Sequence, residues 1–139
     1  MELADTSVLI SAGHAGPSRD WLRAAATQAR VALCDMVVME YLSGARDSAE
    51  LAAFEEALRA YPWLRIEPAD WDRAMHISGQ LAQVSAGFHR AVPIPDLLIA
   101  AIAERHSAVL VHDDADYERI AAITGQALLR IDDQVPPLR

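Results

Sequence analysis

The sequence contains no lysine, a single cysteine and no long apolar run, and each shortage excludes a class of protein. All twelve basic side chains are arginine. One cysteine, Cys34, cannot form a disulfide within the chain, which fits a reducing compartment, and we expect it to be a small buried residue. No apolar stretch approaches the roughly 20 residues that span a bilayer, and the first residues lack the basic start of a signal peptide. The sequence therefore predicts a cytoplasmic protein with no membrane segment.

Charge and missing motifs narrow the possible functions further. The formal net charge is −8, which argues against a broad basic face for nonspecific nucleic-acid binding. A nuclease remains possible, because carboxylates that bind metal ions add to the negative sum. The chain has no Gly-Lys-Ser/Thr loop, so it is not a P-loop nucleotide hydrolase. Receiver domains and haloacid-dehalogenase-type phosphatases both use a lysine, and the phosphatases also need an aspartate where Ser7 stands.

The pattern of apolar segments predicts an α/β protein. The 139 residues, of which 53% are hydrophobic, suffice for one domain with a sizeable core. Strands are predicted at Met1–Asp5, Arg30–Cys34, Leu64–Glu67, Ala108–His112 and Leu128–Ile131. Helices are predicted at 6–12, 17–29, 36–42, 47–60, 68–86, 97–104 and 117–124, with a loop over 87–95 and a loose tail at 135–139. Strands separated by helices predict a three-layer sandwich with a five-stranded parallel sheet, forming a single domain over 1–139.

Two helix features are predicted from local sequence. Asp35 is a plausible N-cap for the helix that ends near Leu42. In the helix over 68–86, the side chains of Trp71, Met75 and Leu81 follow one face, which we expect to pack in the core.

Carboxylates follow the ends of predicted strands, and the sheet would gather them. Ligands of open parallel sheets bind beyond the carboxyl ends of the strands, where the strand order reverses. If strands one and four are neighbours across that reversal, the order is 3-2-1-4-5, which brings Asp5 close to Asp114. Several acids in one cleft repel one another, and a fold tolerates them mainly when divalent cations lie between them.

Each acid taken alone also has an ordinary explanation. Asp96 could be the N-cap of the helix that follows it, and Asp5 could be a polar strand end. Glu40 is harder to explain, because it lies in a largely apolar helix and an ionised glutamate is rarely buried unpaired. Three carboxylates also crowd into the run His112–Asp116. Taken together, the acids predict a metal-dependent enzyme that acts on phosphate esters.

The order of four segments resembles the PIN-domain ribonucleases, and among them the VapC toxins of prokaryotic toxin–antitoxin modules. The segments are Asp5-Thr6-Ser7, the mid-helix Glu40, Pro95-Asp96-Leu97-Leu98-Ile99-Ala100-Ala101 and His112-Asp113-Asp114-Ala115-Asp116-Tyr117. The resemblance extends from Leu3 to Ile131. It implies an endoribonuclease that uses Mg²⁺ or Mn²⁺ and cleaves RNA such as tRNA or a ribosomal RNA loop. It also implies homodimers and neutralisation by a cognate VapB antitoxin.

The resemblance also implies a role for each matching residue. The catalytic acids are expected to be Asp5, Glu40, Asp96 and Asp114, and the metal ligands Asp5, Asp96, Asp114 and Asp116. Thr6 matches a hydroxyl residue that either binds a metal-bound water or orients the first aspartate. Either Glu40 or Asp114 would hold the attacking water. One departure is Ile102, where many relatives have a threonine.

Two arginines are candidates for RNA contact, and one alternative function stays open. Arg90 precedes Asp96 in the chain, and Arg19 follows the Gly16-Pro17-Ser18 turn. Arginine suits bidentate contact with phosphate, although both could be ordinary surface charges. The alternative is a catalytically silent PIN-like module that only binds RNA or a partner protein.

Overall fold

The structure is a computed structural model that describes residues 1–132, so the tail predicted at 135–139 lies outside the described residues. The extent of the single domain over 1–139 stays a prediction. None of the helices between residues 1 and 132 is long and apolar enough to cross a membrane.

The architecture is a parallel sheet surrounded by helices, as predicted. The strands are β1 (Glu2–Ala4), β2 (Val31–Cys34), β3 (Trp63–Leu64), β4 (Val109–His112) and β5 (Leu128–Arg130). The helices are α1 (Thr6–Ser11), α2 (Pro17–Thr27), α3 (Asp35–Ser43), α4 (Ser48–Leu58), α5 (Pro68–Val84), α6 (Phe88–Ala91), α7 (Ile94–Arg105) and α8 (Ala115–Thr124). The strand order is β3-β2-β1-β4-β5 with every pair parallel, which confirms the predicted order.

The core forms where the sheet meets its most apolar helix. Every residue of β2 is buried, which is typical of an inner parallel strand. In α7, all residues from Asp96 to Ala103 are buried. Cys34 is a free, buried thiol as expected, and burial raises its pKa to about 12. The strand ends next to α7 are therefore fixed by dense packing on both sides.

Several element boundaries differ from the predictions for local reasons. Helix α2 ends at Thr27 rather than Ala29, because Ala29 adopts a left-handed φ of 53° and Arg30 N–H returns to Ala25 O at 2.8 Å. Strand β3 is only Trp63–Leu64. The segment predicted as a loop over 87–95 contains α6 and the first two residues of α7, since Pro95 suits the start of a helix.

Two predicted helix caps are wrong. Asp35 is the first residue of α3, whose N-cap is Cys34. The Asp35 carboxylate instead accepts from Ile66 N–H at 2.9 Å and Arg65 Nε at 3.0 Å, which ties α3 to the chain after β3. Asp96 lies inside the first turn of α7, and the N-cap is Pro93. Since its side chain does not cap the helix, it is available to the site.

The predicted core face of α5 is partly wrong. Leu81 is buried, but Trp71 is 46% exposed and Met75 is 63% exposed. The buried residues of α5 are Asp70, Ala74, Ile77 and Leu81. That stripe has the expected helical spacing but starts one residue earlier, because Asp70 turns inward to bind Arg105 of α7 at 2.8 Å.

Candidate metal centre and active site

Asp5 lies where β1 ends and α1 begins, and it is held on both sides. Its backbone N–H donates to Val111 O of β4 at 2.9 Å, so the pairing of β1 with β4 places Asp5 beside the segment that follows β4. Its Oδ2 accepts from Ser7 Oγ at 2.6 Å, and its Oδ1 accepts from Tyr117 OH at 2.6 Å. The side chain therefore has a hydrogen-bond donor at each oxygen, although the residue is only 5% exposed.

Asp96 is buried with one oxygen unsatisfied. The residue is 8% exposed, and the hydroxyl of Tyr117 lies 3.4 Å from its Oδ1. Its Oδ2 has no hydrogen-bond partner among the described residues. A buried carboxylate oxygen without a partner is unfavourable unless a cation or a proton reaches it.

The turn after β4 brings two more carboxylates to Asp96. Asp114 is the N-cap of α8, and its Oδ1 accepts from Asp116 N–H at 2.9 Å. The N–H of Asp114 donates to Nδ1 of the buried His112 at 3.1 Å, which fixes the turn. One carboxylate oxygen from each of Asp96, Asp114 and Asp116 lies within 4.8 Å of the others.

Glu40 belongs to the site but not to that group of three. It projects from α3 and its Oε1 accepts from Thr6 Oγ1 at 2.8 Å. Thr6 thus holds Glu40, whereas the next residue, Ser7, holds Asp5. The resemblance implied that Thr6 either binds a metal-bound water or orients Asp5. In the structure the hydroxyl that bonds Asp5 is that of Ser7.

The pKa values show that the acids share one electrostatic environment. The pKa of Asp96 is raised to about 7, chiefly by burial and then by the charges of Asp5, Asp114, Asp116 and Glu40 in that order of effect. Burial also raises the pKa of Glu40, against the lowering effect of the Thr6 hydrogen bond. The pKa of Asp116 is raised by burial and then by Asp114. The carboxylates at the site therefore repel one another, and a divalent cation would relieve that repulsion.

The donor set fits a hard divalent cation. Mg²⁺ and Mn²⁺ prefer oxygen ligands, and Mg²⁺ usually needs only one or two carboxylates and keeps several waters. Asp96, which has an unpartnered Oδ2, offers such ligands together with the nearby carboxylates of Asp114 and Asp116. The role of Asp5 as a ligand stays a prediction, since both of its oxygens already accept hydrogen bonds.

Sequence reasoning gave no role to three residues that shape the site. Ser7 and Tyr117 each donate to Asp5, and His112 accepts from the backbone of Asp114. Tyr117 is fully buried, and burial raises its pKa well above the usual value for a tyrosine, so it is a neutral donor. Its position three residues after Asp114, on the inner face of an N-capped helix, was the available signal.

The two arginines predicted to contact RNA differ in their surroundings. Arg19 donates from Nε to Ala12 O at 3.0 Å and also donates to Gly13 O, so it closes the end of α1. Arg90 is exposed in α6, close to the start of α7. The structure adds two arginines that contact the acidic turn: Arg119 NH1 lies 3.5 Å from Asp116 Oδ1, and Arg130 Nε lies 3.5 Å from Asp113 Oδ1.

The fold and the acidic site together define the class of protein. The PIN domain family matches residues 3–123, and the chain belongs to that family. PIN nucleases generally depend on divalent metal ions, which agrees with the cluster formed by Asp96, Asp114 and Asp116.

Within that class, the chain is similar to VapC ribonucleases. It is 35% identical to Ribonuclease VapC18 of Mycobacterium tuberculosis over 122 residues, which cover 88% of each chain. It is 39% identical to Ribonuclease VapC17 of the same species over 93 residues, covering 67% of this chain and 69% of the relative.

Solved structures support the fold. The VapBC2 complex of Rickettsia felis, bound to a DNA fragment from its promoter, matches with a TM-score of 0.73 and 17% identity over 94% of this chain and 98% of that one. The VapBC-5 complex of Mycobacterium tuberculosis matches with a TM-score of 0.67 and 21% identity over the same shares. At these identities the likeness concerns the fold, and it agrees with the order β3-β2-β1-β4-β5.

Proposed function

We propose that this protein is a metal-dependent endoribonuclease toxin of the VapC type, neutralised by a cognate VapB antitoxin. The observation that carries the proposal is the surroundings of the buried Asp96 at the reversal point of a PIN-domain sheet. Its Oδ2 has no hydrogen-bond partner among the described residues, and one of its carboxylate oxygens lies within 4.8 Å of oxygens of Asp114 and Asp116. A fold that served only as a binding module would have no need to keep an unsatisfied carboxylate there. Similarity to VapC ribonucleases along 88% of the chain supports the same conclusion.

The three clustered aspartates would hold the cation, which we propose to be Mg²⁺ or Mn²⁺. When bound, a divalent cation neutralises charge on the phosphodiester as it is attacked and as the leaving oxygen departs. Asp96, Asp114 and Asp116 provide the oxygens, and Asp5 adds a further carboxylate that Tyr117 and Ser7 hold in place.

Glu40 is the better placed of the two candidates to receive a proton from the attacking water. Asp114 already caps α8 and contributes an oxygen to the cluster. Glu40 lies outside the cluster, and Thr6 fixes its Oε1, which leaves Oε2 as the proton acceptor. Burial raises its pKa, and a carboxylate with a raised pKa is a stronger base near neutral pH.

The proposed substrates and partners follow from the same assignment. We propose that the substrate is an RNA such as tRNA or a ribosomal RNA loop, with Arg90 among the residues that contact phosphate. We further propose that the protein forms homodimers and works in the cytoplasm. Among the similar solved structures, VapBC-5 of Mycobacterium tuberculosis is described as a member of a family of toxin–antitoxin systems, and three others are described as bound to DNA.

The first experiment is cleavage of total bacterial RNA by the purified, antitoxin-free protein, with Mg²⁺, with Mn²⁺ and with a chelator. The Asp96→Asn variant and an Asp20→Asn variant, altered at an exposed acid of α2, are measured in parallel. We expect discrete cleavage that requires both the metal and Asp96 and that survives in Asp20→Asn. Mapping the new RNA ends then identifies the target.

The silent binding module makes the opposite prediction for the same experiment. It predicts that folded protein binds RNA or a partner but leaves RNA intact with either metal. The comparisons give this alternative no support. Cleavage that persists at full rate in Asp96→Asn, or in the presence of chelator, would contradict the proposed metal-dependent mechanism.

A further inference from the structure

An open apolar cavity lies beside the acidic cluster, between the end of α5, α6 and α8. Its volume is about 540 Å³, and its walls include Leu81, Val84, Phe88 and Ile123. Val84 is 59% exposed, and Phe88 is only half-buried. Apolar side chains that a fold leaves open to water beside a polar site often mark a place where a ligand binds.

The cavity borders the segment that carries Asp114 and Asp116. Ala115 lines it and lies between Asp114 and Asp116 in the chain. Arg119, also in the wall, has its NH1 3.5 Å from Asp116 Oδ1. A phosphodiester held at the acids would therefore have an adjoining nucleoside within reach of this cavity.

The chemistry of the wall matches a flat aromatic base attached to an anionic chain. The guanidinium of Arg119 lies over the ring of Phe88, 5.1 Å from its centroid. Unstacked RNA bases are recognised by stacking on aromatic rings or on arginine planes, and this pair offers both. The Arg119 charge also complements the phosphate backbone, next to a cluster that is otherwise negative.

The size of the cavity favours a base over a protein segment. Sites for small ligands measure about 300–1,000 Å³, and this cavity falls within that range. A second copy of the chain or a partner helix would need a longer apolar groove. The cavity instead has a polar border, where Glu118 accepts from Arg130 at 2.8 Å.

We propose that this cavity binds one nucleobase of the RNA substrate, adjacent to the phosphodiester that lies at Asp96, Asp114 and Asp116. The proposal rests on the ribonuclease function proposed above. It implies that the cavity selects which base lies next to the cleaved bond. Arg119 and Phe88 supply the stacking surface, and Val84 and Ile123 supply the apolar floor.

Base binding is tested first without catalysis, so that it is separate from the proposed function. Methyl NMR signals of Val84 and Ile123 are followed in the wild-type protein with Mg²⁺, during titration with the four nucleoside 5′-monophosphates and with ribose 5-phosphate. We expect at least one nucleotide to shift these signals upfield through its ring current, with no such shift from ribose 5-phosphate. Equal shifts from ribose 5-phosphate and all four nucleotides would overturn the proposal.

Two pairs of variants then test the role of the cavity in cleavage. Phe88→Leu removes the aromatic ring, and Ala122→Leu fills the cavity from an exposed position of α8. Their matched controls are Phe54→Leu, altered at the other phenylalanine, and Ala53→Leu, altered at an exposed alanine of α4. On an oligonucleotide spanning a mapped site, we expect kcat/KM to fall about tenfold in both cavity variants and to stay unchanged in the controls.

An abasic nucleotide next to the cleaved bond separates a base contact from a general disturbance. For wild type, kcat/KM should be about tenfold lower on the abasic oligonucleotide than on the intact one. For Phe88→Leu, kcat/KM should be the same on both oligonucleotides. If removing the base lowers kcat/KM of Phe88→Leu as much as it lowers that of wild type, the proposal is overturned. Val84 signals that respond to protein concentration rather than to nucleotide would also overturn it, since a second copy would then cover the cavity. If wild type cleaves no RNA, the ribonuclease function fails, while the nucleotide titration still decides base binding.

Discussion

Asp70 and Asp96 are both buried aspartates, at 1% and 8% exposure, but their surroundings are opposite. Asp70 accepts from Arg105 at 2.8 and 2.9 Å and from Glu67 N–H at 2.8 Å. Burial raises its pKa, but these hydrogen bonds outweigh burial and the pKa is lowered. Asp96 has acids for neighbours and a pKa of about 7. Asp70 therefore joins two helices through its bonds to Arg105, whereas Asp96 lies among carboxylates whose repulsion a bound cation would relieve.

The largest effect expected from this difference is loss of activity in Asp96→Asn. The amide keeps the shape of the side chain but is a poor cation ligand, so we expect RNA cleavage to fall by at least about 100-fold. Without metal, the variant should be at least as stable as wild type, because the substitution removes charge repulsion. Cleavage rates and urea unfolding are measured on the same preparations. A variant that is both unfolded and inactive would assign Asp96 a structural role like that of Asp70.

Asp70→Asn should give the reverse result. It removes the buried one of the two charged partners of Arg105 among the described residues, which leaves Glu67 Oε1 at 3.3 Å. We expect about 2 kcal/mol less stability, because the Arg105–Asp70 pair is buried on the aspartate side only. Activity per folded molecule should be unchanged, since none of the site hydrogen bonds involves this residue. Urea unfolding and cleavage rates at low temperature check both points. A large drop in kcat in folded Asp70→Asn would show that the two regions are coupled.

The contributions of the two aspartates to the free energy of unfolding should depend on pH in opposite directions. For Asp96, the folded pKa of about 7 lies above the unfolded value of about 3.9, so its contribution to stability is complete below about pH 4 and is lost as pH rises through 7. For Asp70, the lowered pKa makes its contribution present above about pH 4 and lost as pH falls through the folded value.

Thermal unfolding of metal-free protein measures these contributions. From pH 5 to pH 8, the Tm of wild type should fall relative to that of Asp96→Asn, and saturating Mg²⁺ should remove the fall. Parallel curves for the two proteins across that range would contradict the pKa assigned to Asp96. Below pH 4, the difference between wild type and Asp70→Asn should shrink.

Tyr117→Phe is expected to have a smaller effect, because it removes a positioning hydroxyl and no ligand. Loss of the 2.6 Å hydrogen bond to Asp5 should lower kcat and raise the Mg²⁺ concentration needed for half-maximal rate, each by about tenfold at most. Tyr61→Phe, altered at a half-buried tyrosine away from the acids, is the matched control. A change in stability alone, with the Mg²⁺ dependence unmoved, would limit Tyr117 to packing.

The smallest effect is expected from Arg90→Ala. If Arg90 contacts phosphate, filter binding of RNA to an Asp96→Asn background should weaken modestly, and the slope of log K against log salt should decrease by about one unit. Arg19→Ala is the informative comparison, because Arg19 bonds backbone carbonyls at the end of α1 and should affect stability more than the salt slope. An unchanged slope in Arg90→Ala would remove Arg90 from the RNA-binding residues.

The strand order of the sheet could be predicted from the sequence, because it depends on patterns along the chain. The same patterns predicted which end of the sheet would gather the acids, whereas their catalytic roles stay predictions. Short apolar strands separated by helices imply parallel pairing, and the strand order then places Asp5 near Asp114. Asp96 was found as an acid but was assigned a possible capping role that Pro93 holds in the structure. Local propensity cannot tell whether a carboxylate in a first turn points back to the helix or across to other strands.

Contacts between distant residues were beyond sequence reasoning. The hydrogen bond from Tyr117 to Asp5 joins residues 112 positions apart, and although the position of Tyr117 predicts an inward side chain, no local pattern pairs it with Asp5. The inward turn of Asp70 depends on Arg105, and this pairing moved the buried stripe of α5 away from Trp71 and Met75. Tertiary partners decide such details, whereas hydrophobic periodicity decides only that a helix forms.

The pairing of β1 with β4 has a consequence for the order of events during synthesis. Asp5 is made early, but Asp96, Asp114 and Asp116 all belong to α7 or to later parts of the chain. Contacts between residues so far apart in sequence form late in folding, since a long loop must close first. A growing chain therefore cannot assemble the acidic cluster until most of the domain has left the ribosome, and cleavage of RNA by the chain cannot begin while the protein is being made.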